Sequence, residues 1–463
     1  MGLCEKHLLY ALPIVITPFT FGYIVGYTSP ALPYYQEKFP DLTSFEVTIF
    51  NAITSLLACF GPYLTTFLFR FFGRRVVTVI LDVSNIVLWA CLFSITTKKL
   101  YYFGIFIRAL LGIILGACSA IGPLYLVEVA PPEYGGFFGS MNQMSIVLGI
   151  IILFIIGQYY HPWALHILAI VSSAIQIATI WFVPETAPQK EDNDQEDDSD
   201  EDIKESIFDK QYVKKVIIMI LIMLAQQLSG ANAMITNLSS LFKAAKVPIP
   251  SGIAAAITMA AQLIACIVGG SLDGKVKRRI MWGISCSTCF LSLLIYALNQ
   301  KFNWNTVLSI ILIFIYQFGF GLALAPMPWY TSPEMFPPPL RPMASSINSM
   351  TSWIGCFIVI FIYPAMQKGI GEFGAFLFFA ADALFALIFG LIVIKEPIPD
   401  EDTTENLDSD EEEEKKESSS TTPENKDEND QKEPDQKEES SSSSSSSSSQ
   451  NIDNEDSGSG VNV

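Results

Sequence analysis

Apolar segments long enough to cross a lipid bilayer recur along the first 396 residues of the chain. The hydrocarbon core of a bilayer is about 30 Å thick, and a helix of about 20 apolar residues spans it. Because hydrocarbon offers no hydrogen-bond partners, each segment must satisfy its own backbone as a helix. The sequence therefore predicts an all-α membrane protein. Its twelve predicted transmembrane helices lie at about residues 8–28, 47–69, 76–96, 101–127, 137–157, 163–183, 216–240, 252–272, 280–299, 306–330, 343–366 and 374–395.

Most of the acidic residues lie in two segments outside these helices. The 463-residue chain has a net charge of −18, although its mean hydropathy is +0.39. Residues 187–206 carry −8 and residues 400–463 carry −17, which leaves +7 for the remainder. The membrane body is therefore mildly basic, and the overall acidity says little about its ligand. We expect no nucleic-acid partner.

These changes in composition divide the chain into four parts. Residues 1–186 and 216–396 each hold six predicted helices. Residues 187–215 form an acidic cytoplasmic loop, and residues 397–463 form an acidic, serine-rich tail. We expect the tail to be disordered, because it lacks the apolar residues that a core requires. It is either a solvated tail without a specific role or a site for phosphorylation and a cytoplasmic partner.

Lysine and arginine residues near the helix ends predict the orientation in the membrane. With both termini in the cytoplasm, the inner side holds fourteen of these residues and the outer side holds seven. The positive-inside rule favours this orientation. The first apolar segment continues without a cleavage site of small residues, so we expect no cleavable signal peptide. The plasma membrane is the first candidate for the location, and an internal membrane is the alternative.

The two groups of six helices carry matching sequences at equivalent positions. A basic run follows the second helix of each half, at residues 70–75 and 273–279. The fourth helix of each half ends with a glutamate close to a proline, Glu128 and Glu334. Such a repeat indicates two similar six-helix bundles, with a ligand site between them near the middle of the membrane.

The seventh predicted helix contains three amide side chains, Gln226, Gln227 and Asn232. Polar groups in hydrocarbon cost free energy unless they find partners. Each amide offers two N–H donors and a carbonyl acceptor without a net charge, which suits a neutral ligand rich in hydroxyl groups. The alternative is hydrogen bonding between helices, which asparagine and glutamine also provide in membranes.

The cysteines and ionisable residues give no sign of catalysis. Seven of the eight cysteines fall inside predicted helices. Cys286 and Cys289 form a CxxC pair, but their apolar helix favours packing over a metal or redox site. The sequence shows no nucleophile with its base, no metal cluster and no phosphate-binding loop. We therefore expect a protein that is not an enzyme and uses no cofactor.

Several short motifs follow one another in a fixed order along the predicted helices. They are Gly26–Ala31, Gly73–Arg75, Gly122–Pro131, Pro184–Thr186, Gln226–Asn232, Pro326–Trp329 and Glu334–Pro342. With these motifs, residues 8–396 resemble the sugar porter branch of the major facilitator superfamily, and especially its facilitative hexose transporters. The resemblance implies two six-helix bundles that transport a monosaccharide, with glucose as the first candidate.

The same resemblance implies which residues bind the sugar. Neutral amides can satisfy sugar hydroxyls, and an indole face can cover the apolar C–H face of a pyranose. Packing is the alternative role for the two tryptophans, and a helix–helix hydrogen bond is the alternative for Gln262. The implied sugar-binding residues are Gln143, Gln226, Gln227, Asn232, Gln262, Trp329 and Trp353.

The charged loop motifs resemble the inner gate of the family. The resemblance implies ion pairs that help to close the inner side while the site faces outward. Positive-inside topology alone would explain the arginines but not the two glutamates. The implied gate residues are Arg74, Arg75 and Glu128 in the first half, and Arg278, Arg279, Glu334 and Arg341 in the second half.

Some positions depart from the family pattern. Gly135 and Lys277 stand where relatives often carry arginine and glycine, so we expect a thinner ion-pair network. Thr236 and Asn237 replace a pair of tyrosines that follows the helix 7 motif in many relatives. Ser352 replaces a frequent asparagine before Trp353. The outer gate and the preferred sugar are therefore open questions at this stage.

The mode of transport depends on buried charges. Proton-coupled sugar porters place an aspartate in the first helix beside an arginine of the fourth, and here Ile24 occupies that position opposite Arg108. This favours facilitated diffusion through alternating access. Asp82 and Asp382 lie inside predicted helices and leave proton symport as an alternative. A second alternative is a sugar sensor that signals through the tail.

Overall fold

The computed structural model of the protein describes residues 2–131, 135–186, 207–244, 249–272, 275–337 and 340–394. The acidic segment at 187–206, Asp273 and the tail after residue 394 lie outside the described residues. The expectations for these segments therefore stay predictions.

The described residues confirm the predicted set of membrane helices. Within the described ranges, eleven continuous apolar stretches are long enough to cross a membrane. The last of them contains two helices, because Gly371 has φ 74° and ψ 173° and breaks the helix Arg341–Val393. The twelve helices are α1 (Lys6–Lys38), α2 (Ser44–Leu68), α3 (Arg74–Leu92), α4 (Lys98–Glu128), α5 (Phe138–Tyr159), α6 (Pro162–Phe182), α7 (Lys210–Lys243), α8 (Ser251–Leu272), α9 (Arg278–Phe302), α10 (Thr306–Ser332), α11 (341–370) and α12 (372–393).

Helix α1 extends further than the sequence predicted. The prediction ended at residue 28, where polar residues become frequent, but a helical segment continues over Thr28–Lys38. Ser29 and Tyr35 in this segment are buried. These two polar side chains therefore face the protein interior, whereas Gln36, Glu37 and Lys38 at the end of the segment are exposed.

Two of the described helices are interrupted near the middle of their length. Helix α7 consists of Lys210–Leu228 and Ala231–Ala244, and Gly230 between them has φ +85°. Helix α10 contains a π-helical turn at Phe320–Leu324, just before a proline at residue 326. Irregular backbone at membrane depth is tolerated where it is enclosed by protein or lines a cavity.

The twelve helices pack as two groups that meet along three helix pairs. The first group is α1–α6 and the second is α7–α12, and α1 packs on α7, α2 on α11 and α5 on α8. We call the end of the bundle that carries Arg74 and Arg278 the basic face. The end that carries Ser44 and Lys368, whose Nζ donates to Ser44 Oγ at 2.6 Å, is the opposite face.

Candidate functional site

Gln227 is the centre of an amide cluster beside the break in α7. Its Nε2 donates to Ser352 Oγ of α11 at 2.7 Å and to Gln226 Oε1 at 3.0 Å. Its Oε1 accepts a hydrogen bond from Asn232 Nδ2 at 2.6 Å. The structure thus brings together three of the predicted sugar-binding residues, and it adds Ser352, which the sequence indicated only as a departure from the family.

The amide nitrogen of Gln226 donates hydrogen bonds to the backbone of helix α10. Its Nε2 donates to the carbonyl oxygens of Leu324 at 3.1 Å and Ala325 at 2.5 Å. In an α-helix the Leu324 carbonyl would bond to the N–H four residues later, but Pro328 has none. The N–H of Trp329 donates to the Pro326 carbonyl at 3.2 Å. Gln226 therefore satisfies two backbone carbonyls that the irregular α10 turn exposes, which is the helix–helix role that the sequence left as an alternative.

Trp353 and Gln262 hold buried polar atoms that lack protein partners. Within the described part of the chain, neither Trp353 Nε1 nor Gln262 Oε1 has a hydrogen-bond partner. The Trp353 ring lies against Phe21 of α1, with the ring centroids 5.5 Å apart, so it reaches across to the first half. Buried polar groups are nearly always hydrogen-bonded, so these two atoms are available to a bound ligand or to water.

The remaining predicted sugar-binding residues, Gln143 of α5 and Trp329 of α10, are half-buried. No hydrogen bond among the described residues joins Gln143, Gln262, Trp329 or Trp353 to the amide cluster. Sequence reasoning missed Gln317 of α10, which is fully buried and has both amide atoms unpartnered within the described residues. Its signal in the sequence was a lone glutamine in an apolar helix.

The first-half gate residues form an ion pair at the basic face. Arg74 Nη2 lies 2.9 Å from Glu128 Oε1, and Arg74 Nε donates to Glu128 Oε2 at 3.1 Å. Thr186 Oγ1 also donates to Glu128 Oε2, at 2.5 Å. The two charged side chains are 13% and 21% exposed, so solvent screens this pair only in part.

Glu185 has a role that the sequence did not reveal. Its Oε1 accepts the Arg74 N–H at 2.7 Å and its Oε2 accepts the Arg75 N–H at 3.2 Å. These are unpaired donors at the first turn of α3, where a carboxylate is favoured by the helix dipole. The predicted gate residue Arg75 is thus held to Glu185 through its backbone.

The second-half gate is more exposed. Arg278 Nη1 lies 2.5 Å from Glu334 Oε2, and the Glu334 side chain is 41% exposed. Arg341 Nε donates to the Phe336 carbonyl at 3.1 Å, and the Arg279 guanidinium donates to the Leu391 carbonyl at the end of α12. Each of the two basic-face ion pairs therefore joins residues of a single half, and neither pair links the first half to the second.

We expect Glu128→Gln to destabilise the protein more than Glu334→Gln. The Arg74–Glu128 pair is the less exposed one and has the additional bond from Thr186, so its loss should cost about 1–2 kcal/mol. The exposed Glu334 should contribute less than about 1 kcal/mol. Unfolding of the two purified variants in the same detergent measures the difference. Equal losses would show that burial does not separate the two pairs.

Arg108 of α4 is a fully buried cation, and no carboxylate of the described residues pairs with it. Its Nη1 donates to the Ile24 carbonyl of α1 at 3.2 Å. Its guanidinium carbon lies 5.4 Å from the ring centroid of Tyr27 and 5.7 Å from that of Phe50. No described carboxylate forms an ion pair with it. Aromatic faces and one backbone carbonyl thus surround the Arg108 charge. The arginines of the basic face, Arg74 and Arg278, are instead paired with glutamates.

No hydrogen bond among the described residues joins the carboxylates of Asp82 and Asp382, or the thiols of Cys286 and Cys289, to the amide cluster. Asp82 of α3 is 5% exposed, and the Oδ2 atoms of Asp82 and Asp382 have no hydrogen-bond partner within the described residues. Cys286 and Cys289 are free and buried in α9, and Cys289 Sγ lies 3.8 Å from the Tyr316 carbonyl. In the described part of the chain, no three metal-ligating side chains converge.

Comparison with known proteins identifies the family. Residues 10–398 match the family model described as "Sugar (and other) transporter". This chain belongs to the sugar transporter family. As a member of this family it is an integral membrane protein that transports sugar, and it is not an enzyme.

Two curated relatives and one solved structure show how far the similarity extends. "Sugar transporter ERD6-like 6" of Arabidopsis thaliana is 24% identical over 429 residues, which are 83% of this sugar transporter and 86% of the relative. The bovine solute carrier family 2 facilitated glucose transporter member 8 is 23% identical over 442 residues, 84% of this chain and 91% of the relative. A partially occluded inward-open structure of the E. coli xylose transporter XylE covers 85% of this chain and 98% of its own, with a TM-score of 0.71 and 16% identity. These matches support the sugar porter fold of the major facilitator superfamily.

Proposed function

We propose that this sugar transporter moves a hexose across the membrane by facilitated diffusion, with the two six-helix groups alternating access to one site. The observation that carries the proposal is the amide cluster at the α7 break. Gln227 and Asn232 there are linked to Ser352 of α11, across the second half of the bundle. Trp353, next to Ser352, contacts Phe21 of the first half.

The donors and acceptors in this region suit a neutral polyol. The unpartnered Nε1 of Trp353 can donate to a sugar hydroxyl, and the unpartnered Oε1 of Gln262 can accept from one. Gln227 and Asn232 satisfy each other without sugar, so ligand hydroxyls would exchange with existing hydrogen bonds. Gln143 and Trp329 complete the proposed site from α5 and α10. Gln226 holds the α10 turn beside it.

The surroundings of Arg108 support facilitated diffusion over proton symport. A proton-coupled step needs a carboxylate that gains and loses a proton as the site opens. Arg108 has aromatic rings and the Ile24 carbonyl in place of such a group. A guanidinium does not release its proton in proteins, so Arg108 and the groups around it offer no proton-exchanging partner.

We further propose that the basic face is cytoplasmic, because positively charged loops favour that side. The two ion pairs at this face, Arg74–Glu128 and Arg278–Glu334, would help to hold the helix ends of each half when the cytoplasmic side closes. Both termini would then lie in the cytoplasm, and the plasma membrane is the first candidate location.

We expect saturable sugar uptake and counterflow in proteoliposomes, with no dependence on an imposed pH gradient. A competition panel of glucose, fructose, xylose and trehalose identifies the substrate, with glucose expected to compete best. Empty liposomes provide the baseline. Binding without flux would instead support a sugar sensor, and flux driven by the pH gradient would contradict facilitated diffusion.

Asp82 is the reason to keep proton symport as the second candidate. It is a buried carboxylate in α3 with an unpartnered oxygen. If it couples transport to protons, Asp82→Asn should abolish uphill uptake driven by a pH gradient. If uptake is passive, sugar uptake by the Asp82→Asn variant should remain independent of the pH gradient, as in the parent protein.

A further inference from the structure

Two serines join the halves of the molecule at the opposite face. Ser29 Oγ of α1 donates to Ser239 Oγ of α7 at 3.1 Å, and the same Ser29 oxygen accepts the Ser239 N–H at 3.1 Å. Ser29 is 1% exposed and Ser239 is 7% exposed. The Ser29 hydroxyl is therefore the shared member of two buried hydrogen bonds between α1 and α7.

A second polar contact lies next to this pair on α7. Asn51 Nδ2 of α2 donates to Thr236 Oγ1 at 3.4 Å. Thr236 stands three residues before Ser239 and four residues after Asn232, so the three share one face of the helix. Thr236 Oγ1 also donates to the Asn232 carbonyl at 2.9 Å. The face of α7 that meets the first half thus leads directly from the amide cluster to the opposite face.

We propose that these two contacts, Ser29–Ser239 and Asn51–Thr236, form a hydroxyl latch that keeps the opposite face closed over the sugar site. The proposal rests on transport by alternating access, and it assigns the closing role to residues that the proposed sugar site does not include. Hydrogen bonds between neutral groups are individually weak, so the latch can open without a large energy input. The sequence alone did not predict which residues close this face, because Thr236 and Asn237 replace a pair of tyrosines found there in many relatives.

The two-bond geometry of Ser29 gives the latch a distinctive signature. Ser29→Ala removes both bonds to Ser239, whereas Ser239→Ala removes only the bond between hydroxyls and keeps its N–H. At about a factor of five per net hydrogen bond, Ser239→Ala should raise the ratio of open to closed protein about fivefold. Ser29→Ala should raise it about 10- to 30-fold. The double variant should match Ser29→Ala, since the two serines share their interaction.

Spin labels at Glu37 and Ser240, both exposed near the two ends of the latch, can measure this ratio. The eight native cysteines are first replaced by serine, and distance distributions are recorded in nanodiscs without sugar. The control is Thr48→Val, which removes a hydroxyl of α2 that donates at 2.7 Å to the Ser44 carbonyl of its own helix. Ser29→Thr, which retains a hydroxyl, should stay nearer to the parent than Ser29→Ala.

A longer-distance population in Ser29→Ala and Ser239→Ala, absent in Thr48→Val, is the expected result. Unchanged distances in both serine variants would overturn the latch, as would an equal change in Thr48→Val. If Ser29→Ala does not fold, Ser239→Ala decides alone. The measurement uses no sugar, so a latch that opens in a protein without sugar flux would refute the proposed function only. Normal flux with unchanged distances would refute the latch only.

Discussion

Replacement of Gly230 by alanine should lower the stability of the folded protein by about 2–5 kcal/mol and strongly reduce transport. Gly230 has φ +85°, a left-handed backbone conformation that costs a residue with a Cβ about 1–2 kcal/mol. An added Cβ would also lie 2.6 Å from the ring of Phe379, which is buried in α12. Overpacking of this kind costs about 1–3 kcal/mol. The α7 break, and with it the amide cluster, would have to shift.

Thermal unfolding in detergent and sugar uptake in proteoliposomes test this expectation together. Gly369→Ala in α11 is the matched control, because a Cβ there meets nothing within 4 Å. A Gly230→Ala protein that is as stable and active as Gly369→Ala would show that the break in α7 does not require glycine.

Gln227→Ala should weaken sugar binding by about 1–3 kcal/mol, a rise in Kd of roughly 5- to 150-fold. Gln227 is the side chain that connects Gln226, Asn232 and Ser352. Its removal takes away any direct bond to a sugar hydroxyl and also releases Asn232 from its position. Equilibrium binding to the purified protein measures the loss separately from transport rate.

The control for this experiment is another helical glutamine with a hydrogen bond. Gln367 of α11 donates to Tyr363 Oη at 2.9 Å near the opposite face, away from the amide cluster. Gln367→Ala should leave the sugar Kd unchanged. An unaltered Kd in well-folded Gln227→Ala would remove this residue from the proposed site, whereas equal losses in both variants would point to a general loss of structure.

The membrane helices and the charged partners could be predicted because each leaves a local mark in the sequence. Twenty apolar residues in a row predict a crossing, and the resemblance to the sugar porter family implied that Arg74 and Glu128 form an ion pair. The extension of α1 could not be predicted, since Ser29 and Tyr35 in it are buried by contacts with residues far away in sequence, such as Ser239 and Tyr101. The capping of α3 by Glu185 could not be predicted either, because the backbone N–H groups that Glu185 accepts from are 110 and 111 residues away in sequence.

One part of the candidate site could likewise be predicted from the sequence, and another part could not. The sequence placed amides at the middle of α7, but it could not distinguish Gln226 from Gln227, which are adjacent and chemically identical. Only the three-dimensional packing shows that the first faces the carbonyls of α10 and the second faces Ser352. Two prolines around Met327 were the signal in the sequence that carbonyls would be exposed there.

The bond between Gln226 and α10 has an evolutionary consequence. Pro328 deletes the N–H that would serve the Leu324 carbonyl, and Gln226 supplies a donor from another helix. A descendant of this chain that lost Pro328 would regain a backbone donor, and selection on Gln226 would relax. Conversely, a change at Gln226 would be tolerated best after a change at Pro328. The two positions should therefore covary among descendants, and the bond from Gln226 to the Ala325 carbonyl would remain as its second contact with α10.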